Sequence, residues 1–302
     1  MASHSSPAAE ADRQLPLGEE IFLDHVGHFV RDPDAASRAL IRAGFAPAPV
    51  SVQTATDAAG ATSLTGTGNV TAMFSRGYIE MLFKTADTPI GRELDNAMMR
   101  YRGVHLAAFA VADAASMHGR LAASGFRVRP LVEFQRPVDT SAGTGTAAFT
   151  VARVEPGEMP EGRIQALTHH TESMVWQPRW LSHPNGALGL TIVTIVVADV
   201  SEAAARFARF TARQANPDPF GQRIELDRGR VELATPEAFA QMFPEIAIPS
   251  LPFVGSYGIK VKSLAALQEI VLHGGLKVRQ SADALLVPFP EELGQGAWSF
   301  GE

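Results

Sequence analysis

The chain has 302 residues, of which 46% are hydrophobic and 19% charged, with a formal net charge of −6. That balance suits a folded chain of about two domains and excludes wholesale disorder, while an acidic chain without a basic run is a poor partner for nucleic acid. There is no cysteine, which removes disulfides, thiolate metal sites and cysteine nucleophiles together and fits a reducing, cytoplasmic setting.

In chain order, residues 1–19 come first. Met1 to about Gly18 is rich in Ala, Ser, Pro and Glu and lacks the basic start and apolar middle of a signal peptide, so it reads as a flexible leader. No later run approaches the ~18 apolar residues that cross a bilayer, and no membrane partner is expected. Beyond the leader an internal repeat organises the chain. Val30-Arg31-Asp32, Val111-Ala112-Asp113 and Val197-Ala198-Asp199 each end an apolar run, and Val261-Lys262-Ser263 is a fourth copy. Twelve residues after each Asp or Ser stand Gly44, Gly125, Thr211 and Gly275. The run before the Asp is rich in β-branched and aromatic residues, as a buried strand requires. Asp or Ser then caps a helix, and glycine supplies the left-handed turn that ends it.

A second phrase recurs late in each copy: Gly77-Tyr78-Ile79-Glu80, Gly162-Arg163-Ile164-Gln165, Gly229-Arg230-Val231-Glu232 and, more weakly, Gly296-Ala297-Trp298-Ser299. It reads as a turn glycine opening the last strand of a module. The spacing predicts an α+β protein of four strand–helix–strands modules near 20–85, 102–170, 188–235 and 252–300. Residues 20–177 form one pair, 178–188 a hinge and 189–302 a second pair.

With these phrases in place, the chain resembles the vicinal oxygen chelate superfamily and, within it, the glyoxalase-like domain proteins. The resemblance is most specific in Leu23-Asp24-His25-Val26 through Asp32, Gly44-Phe45, Gly68-Asn69 and Gly77 to Leu82. It extends to Thr168-His169-His170-Thr171, Val175-Trp176-Gln177 and His183-Pro184-Asn185-Gly186. It implies βαβββ modules paired into curled sheets around a cavity. In metal-dependent members, ligands come from the first and last strands of two modules.

Carried over by position, His25 and Glu80 match the ligand-bearing strands of the first module, and imidazole with carboxylate suits Zn, Fe, Mn, Ni or Co. The bland alternatives are a core histidine and a solvent-facing glutamate. In the second module the first strand carries His105, whereas spacing to Asp113 is taken to select Ala107. Residues two apart share a face, so His105 sits one pleat away, roughly 7 Å; either a bulge restores it or it is not a ligand. Gln165 takes the place of the second carboxylate, and His169, four residues on, is a possible substitute. The expected metal set is thus His25, Glu80, His105 and Gln165. Glu80 and His169 are the catalytic candidates, and Asn69, His170 and Trp176 the substrate-binding ones. His170 adjoins His169, so one of the two faces outward. In the second pair the matched positions read as Ile192, Glu232, Tyr257 and Ser299, without a histidine, and the active cavity is placed in residues 20–185.

Two functions follow from the resemblance. One is a divalent-metal enzyme acting on a small oxygen-rich substrate through an enolate-like intermediate, as a lyase, isomerase or ring-cleaving dioxygenase. The other is a metal-free binding protein that sequesters a small molecule. A cofactor-independent enzyme using His25, His169 or Glu80 as acid and base is a third. Four modules in one chain satisfy two pairs internally, which is compatible with a monomer or a homodimer.

Overall fold

Asp32, Asp113, Asp199 and Ser263 each accept a hydrogen bond from a backbone N–H in the first turn of a helix, so each repeat begins as the sequence predicts. In the computed structural model of the chain, residues 13–56 and 60–302 are described. The first unit comprises β1 (Ile21–Phe29), α1 (Pro33–Arg42), β2 (Ser51–Thr56), β3 (Thr62–Met73) and β4 (Tyr78–Lys84). Helix α2 (Pro89–Arg100) leads to the second: β5 (Gly103–Val111), α3 (Ala114–Ala123), β6 (Val132–Thr140), β7 (Gly143–Arg153) and β8 (Arg163–His169). After α4 (Glu172–Val175) and a short 3-10 turn, the third holds β9 (Ala187–Val196), α5 (Val200–Thr211), β10 (Ala215–Asp218), β11 (Gly221–Glu225) and β12 (Arg230–Ala234). Helix α6 (Pro236–Met242) precedes the fourth: β13 (Phe253–Val261), α7 (Leu264–His273), β14 (Arg279–Ser281), β15 (Ala284–Pro288) and β16 (Ala297–Gly301). The α+β class and the repeated unit are as expected.

The repeated turn glycine has a steric cause. A Cβ on Gly77 would lie 2.4 Å from the carbonyl oxygen of Asp24, and one on Gly162 would lie 2.5 Å from that of His105. Only glycine lets the last strand of a unit start against its first. The two then pair in parallel: β4 on β1, β8 on β5, β12 on β9 and β16 on β13.

Strands of the first two units run in the order β1-β4-β3-β2-β6-β7-β8-β5. Because β5 also pairs antiparallel with β1, the eight close into a ring. The closing seam is the pairing of β2 with β6, where Thr54 faces Gln135 and Ala55 faces Phe134. The other eight strands form a curled sheet centred on β9 and β13, joined to the ring where Val254 pairs with Val104. Inside the ring Leu82, Leu106, Ala108, Phe149, Val151 and Leu167 are buried together. In the second sheet Phe239 and Phe243 pack on Val196, Phe253, Leu286 and Ala297.

Of the expected leader, residues 1–12, His4 among them, lie outside the described residues. Residues 13–19 pack on the body: Gln14 donates to the carbonyl of Ser75 (2.5 Å) and Arg228 to that of Arg13 (2.8 Å). No helix among the described residues is long and apolar enough to cross a membrane.

Candidate functional site

The ring's chemistry starts from an irregularity in β1. Leu23 pairs with Phe109 and His25 with Ala108, so Asp24 is an extra residue in the ladder. A bulge of this kind lets two successive side chains lie on one side of a strand. Asp24 and His25, which regular alternation would point apart, therefore meet, with His25 Nδ1 2.7 Å from Asp24 Oδ2. The second carboxylate oxygen lies 3.0 Å from Nε2 of His169, at the end of β8. All three side chains are buried. An ionised carboxylate only accepts, so the bonds place the proton of His25 on Nδ1 and that of His169 on Nε2. Burial pushes the Asp24 carboxyl up, but the interactions with His169 and then His25 outweigh it and hold it well below the usual carboxylate range. The His169 ring is wedged between Phe149 and Trp176, with centroids 5.1 and 4.6 Å away.

With Nδ1 committed to Asp24, His25 presents Nε2 to the ring's interior. Its imidazole stacks on Tyr78 at 4.4 Å, and Nε2 stands 3.6 Å from Glu80 Oε2. The other oxygen of Glu80 accepts from Asn69 Nδ2 (2.6 Å) and Gln53 Nε2 (3.3 Å), which fixes the carboxylate's orientation. These residues line an inner cavity of about 50 Å³ together with Gln165, Arg136, Arg153 and Arg163. Arg163 is bonded to Glu93 at 2.9 Å. Arg153 Nε donates to the neutral oxygen of Gln165 (2.9 Å), and its guanidinium lies over the Phe134 ring at 5.0 Å. Arg136 is 9% exposed and makes no side-chain hydrogen bond or ion pair among the described residues. Burial lowers the Arg153 guanidinium to about 9 and shifts Arg136 and Arg163 in the same direction. Arg136 also borders an outer pocket of about 410 Å³ whose walls include Pro49, Met73, Val138, Met174 and Trp180.

Of the residues singled out in the sequence, His25, Glu80, Asn69 and Gln165 line this one cavity. His169 is joined to it through Asp24. His105 is not, and the reason is register. His25 stands seven residues before Asp32, and seven before Asp113 is Leu106, not Ala107. Leu106 lines the cavity, while His105 faces the other side of β5, stacked on Tyr101 at 4.0 Å with Nε2 2.8 Å from its carbonyl. The same count replaces Tyr257 by Ser256 in the fourth unit. Tyr257 instead accepts from Trp298 Nε1 (2.6 Å) and meets His28 Nε2 (3.0 Å) where the two halves touch. His170 is the outward-facing member of its pair: it is exposed and bonded to Thr150 Oγ1 at 2.6 Å, away from the cavity. Trp176 is buried behind His169 and Tyr78 and does not line the cavity.

Strand alternation misses Asp24 and the three arginines. Asp24 carries one signal, an acidic residue in the middle of a strand that is otherwise apolar or histidine. Arg163 carries another, since it precedes Gln165 by two and so shares its face.

The divalent ion implied by the resemblance needs at least three donors. The four matched positions here hold His25, Glu80, Leu106 and Gln165. Leu106 donates nothing, and the oxygen of Gln165 already accepts from Arg153. Among the described residues no three His, Cys, Asp or Glu side chains converge in a way that would hold an ion. Guanidiniums face the same space and repel a dication. The donors present do not fit a divalent metal.

Paired strand–helix–three-strand units around a polar cavity define the vicinal oxygen chelate architecture. The chain belongs to the glyoxalase-like domain family, whose model matches residues 23–211. Among solved structures it is similar to a hypothetical protein from Staphylococcus aureus, with TM-score 0.65 and 10% identity over 93% of this chain and 98% of that one. A mutant 4-hydroxymandelate synthase from Streptomyces coelicolor matches with TM-score 0.53 and 13% identity over 93% and 92%. The Mn(II)-bound glyoxalase from Novosphingobium aromaticivorans matches with TM-score 0.50 and 13% identity over 93% and 81%. These likenesses establish the fold. No curated protein matches the chain.

Proposed function

We propose that the chain is a metal-independent enzyme that moves a proton at a carbon atom of a small oxygen-rich substrate, with His25 as base and Arg136 as electrophile. The observation that carries this reading is the Asp24–His25 pair, whose Nε2 opens beside Glu80 on a cavity shared with a buried guanidinium that makes no hydrogen bond or ion pair among the described residues. In the reaction, Nε2 takes a proton from the carbon beside a carbonyl or carboxylate. The C–H electron pair moves onto the carbonyl oxygen as an enolate, and a fixed cation at that oxygen stabilises it. The imidazolium that forms lies between Asp24 and Glu80, two carboxylates placed to favour it. A positioned base of this kind contributes about 10²–10⁴-fold. Return of that proton from the imidazolium to another carbon of the extended enolate gives isomerisation, and loss of a neighbouring leaving group gives a lyase. Simple sequestration is the poorer reading, because a binding cavity gains nothing from a fully buried carboxylate that orients a histidine.

The test is proton exchange. Untagged protein purified in the presence of a chelator is incubated in D₂O with a panel of 2-oxo and 2-hydroxy carboxylates, and loss of the carbon-bound proton is followed by NMR. Exchange should persist in chelator and fall at least about 100-fold in His25→Gln. Exchange that begins only when a divalent ion is added, with one ion retained per chain by mass spectrometry, would overturn the reading.

A further inference from the structure

We infer that the ligand reaching across the inner cavity from its adjoining pockets is a small dianion of the dicarboxylate class, one anionic group held at Arg136 and the other at Arg153. The inference rests on the proposed chemistry only for which end reacts; the ligand class stands on charge and burial.

Three arginines line the inner cavity against one acidic residue, Glu80. Arg163 is compensated by Glu93. The other two share Glu80 as their nearest acidic neighbour in the cavity but form no ion pair with it among the described residues. Arg136 has neither hydrogen bond nor ion pair among the described residues at 9% exposure, and Arg153, at 7%, has only the neutral Gln165 oxygen and a phenyl face. An uncompensated charge in a protein interior is strongly destabilising, which is why buried guanidiniums are ordinarily paired. Arg206 shows the ordinary case, meeting Glu161 at 2.5 Å. Two exceptions on one cavity are explained if a ligand supplies both anions.

The two cations also occupy different doorways. Arg136 borders the inner cavity and the outer pocket beside Met73 and Trp180. Arg153 borders the inner cavity and a separate pocket of about 490 Å³ that contains Glu93 and Arg129. Arg136 has as electrostatic neighbours Glu80 and the neutral phenol of Tyr78, the two side chains against His25, whereas Arg153 feels Arg163 and Glu93 first and Glu80 after them. A ligand spanning the cavity thus has its reacting end at Arg136 and its distal anion at Arg153. Guanidinium recognises a carboxylate through paired N–H donors, which favours planar carboxylates over a point anion.

Binding is measured by calorimetry on the full chain with malonate, succinate, glutarate and adipate, each beside its monocarboxylate of equal carbon number, with inorganic phosphate as control. One dicarboxylate should bind at least about tenfold more tightly than its monocarboxylate, the worth of a second charged hydrogen bond. Arg153→Gln should reduce that affinity to the monocarboxylate level, and Arg136→Gln should weaken both. Gln165→Glu supplies Arg153 with an internal carboxylate. It should also erase the dicarboxylate preference, while raising Tm, and so keeps the test open if Arg153→Gln fails to fold. Equal binding of mono- and dicarboxylates, equal loss of both in Arg153→Gln, or tighter binding of phosphate would overturn the inference. A dicarboxylate that binds as described without proton exchange would refute the catalytic reading alone. Exchange confined to monocarboxylates would refute the dianion alone.

Discussion

Replacing Asp24 by Asn tests the hinge of the site with almost no change in volume. Asp24 accepts from His25 at 2.7 Å and from His169 at 3.0 Å, and it is 0% exposed. An amide offers one acceptor and one donor, so only one histidine keeps its bond and the other turns its N–H toward an NH₂. The lost charge-assisted bond is worth about 1.5–3 kcal/mol, and a buried donor left facing a donor costs about 1–3 kcal/mol more. The expected loss is therefore about 3–5 kcal/mol, read from urea unfolding at neutral pH by tryptophan fluorescence. The variant should also lose a pH dependence. In the fold the Asp24 carboxyl is held below its ordinary value, so its contribution is present above about pH 4 and is lost as acid protonates it. That acid-side decline should be shallower in Asp24→Asn. Nitrogen chemical shifts of the His25 ring report the tautomer directly. A loss under about 1 kcal/mol with the proton of His25 still on Nδ1 would show that Asp24 does not orient the base.

Two further outcomes test other parts of the molecule. Burial lowers His28 and His105 to about 4, whereas unfolded imidazoles titrate near 6.5, so their contribution to stability is present above about pH 6.5 and is lost as pH falls toward 4. Urea midpoints should decline over that window, and His105→Gln should flatten the decline; an unchanged slope would contradict the assignment. The buried pair Arg206–Glu161 ties α5 to the segment before β8, with side chains 9% and 0% exposed. Arg206→Ala should cost about 3–5 kcal/mol because it strands a buried carboxylate. The double variant with Glu161→Gln should recover much of that loss, and equal losses in single and double variants would refute the burial argument.

The repeat was readable because it is written in backbone chemistry. Caps at Asp32, Asp113, Asp199 and Ser263 and left-handed turns at Gly44, Gly125 and Gly275 depend on local residues alone. The third copy lacks that glycine, and Ala212 takes the left-handed conformation beside Thr211. His25 and Glu80 were readable for the same reason, since their distances from the cap and the turn glycine fix their strand positions. Asp24 was not. Its orientation depends on a bulge opposite Ala108 and Phe109, a residue-count mismatch between two strands about eighty residues apart. The arginines escaped because each looks like an ordinary charge alternating along a strand. Their burial appears only when β2 meets β6 and the ring closes over them.

The shortage of metal donors and the presence of arginines are then two sides of one arrangement. The repeat places four matched side chains on the cavity, and those of the first unit keep their chemistry as His25 and Glu80. Those of the second unit are Leu106 and Gln165. Arg153 stands directly opposite Gln165 in the β7–β8 ladder, and Arg163 lies two residues before it on the same face. A carboxylate at position 165 would neutralise Arg153, and a dication among the four would be repelled by Arg136 and Arg153 alike. Such a cavity can be balanced by three or more anionic or imidazole donors with an ion, or by the arginines with an anionic ligand. The neutral amide at Gln165 suits the second arrangement, which is the one we propose. It accepts one bond, from Arg153 Nε, and leaves the rest of that guanidinium's charge for whatever enters.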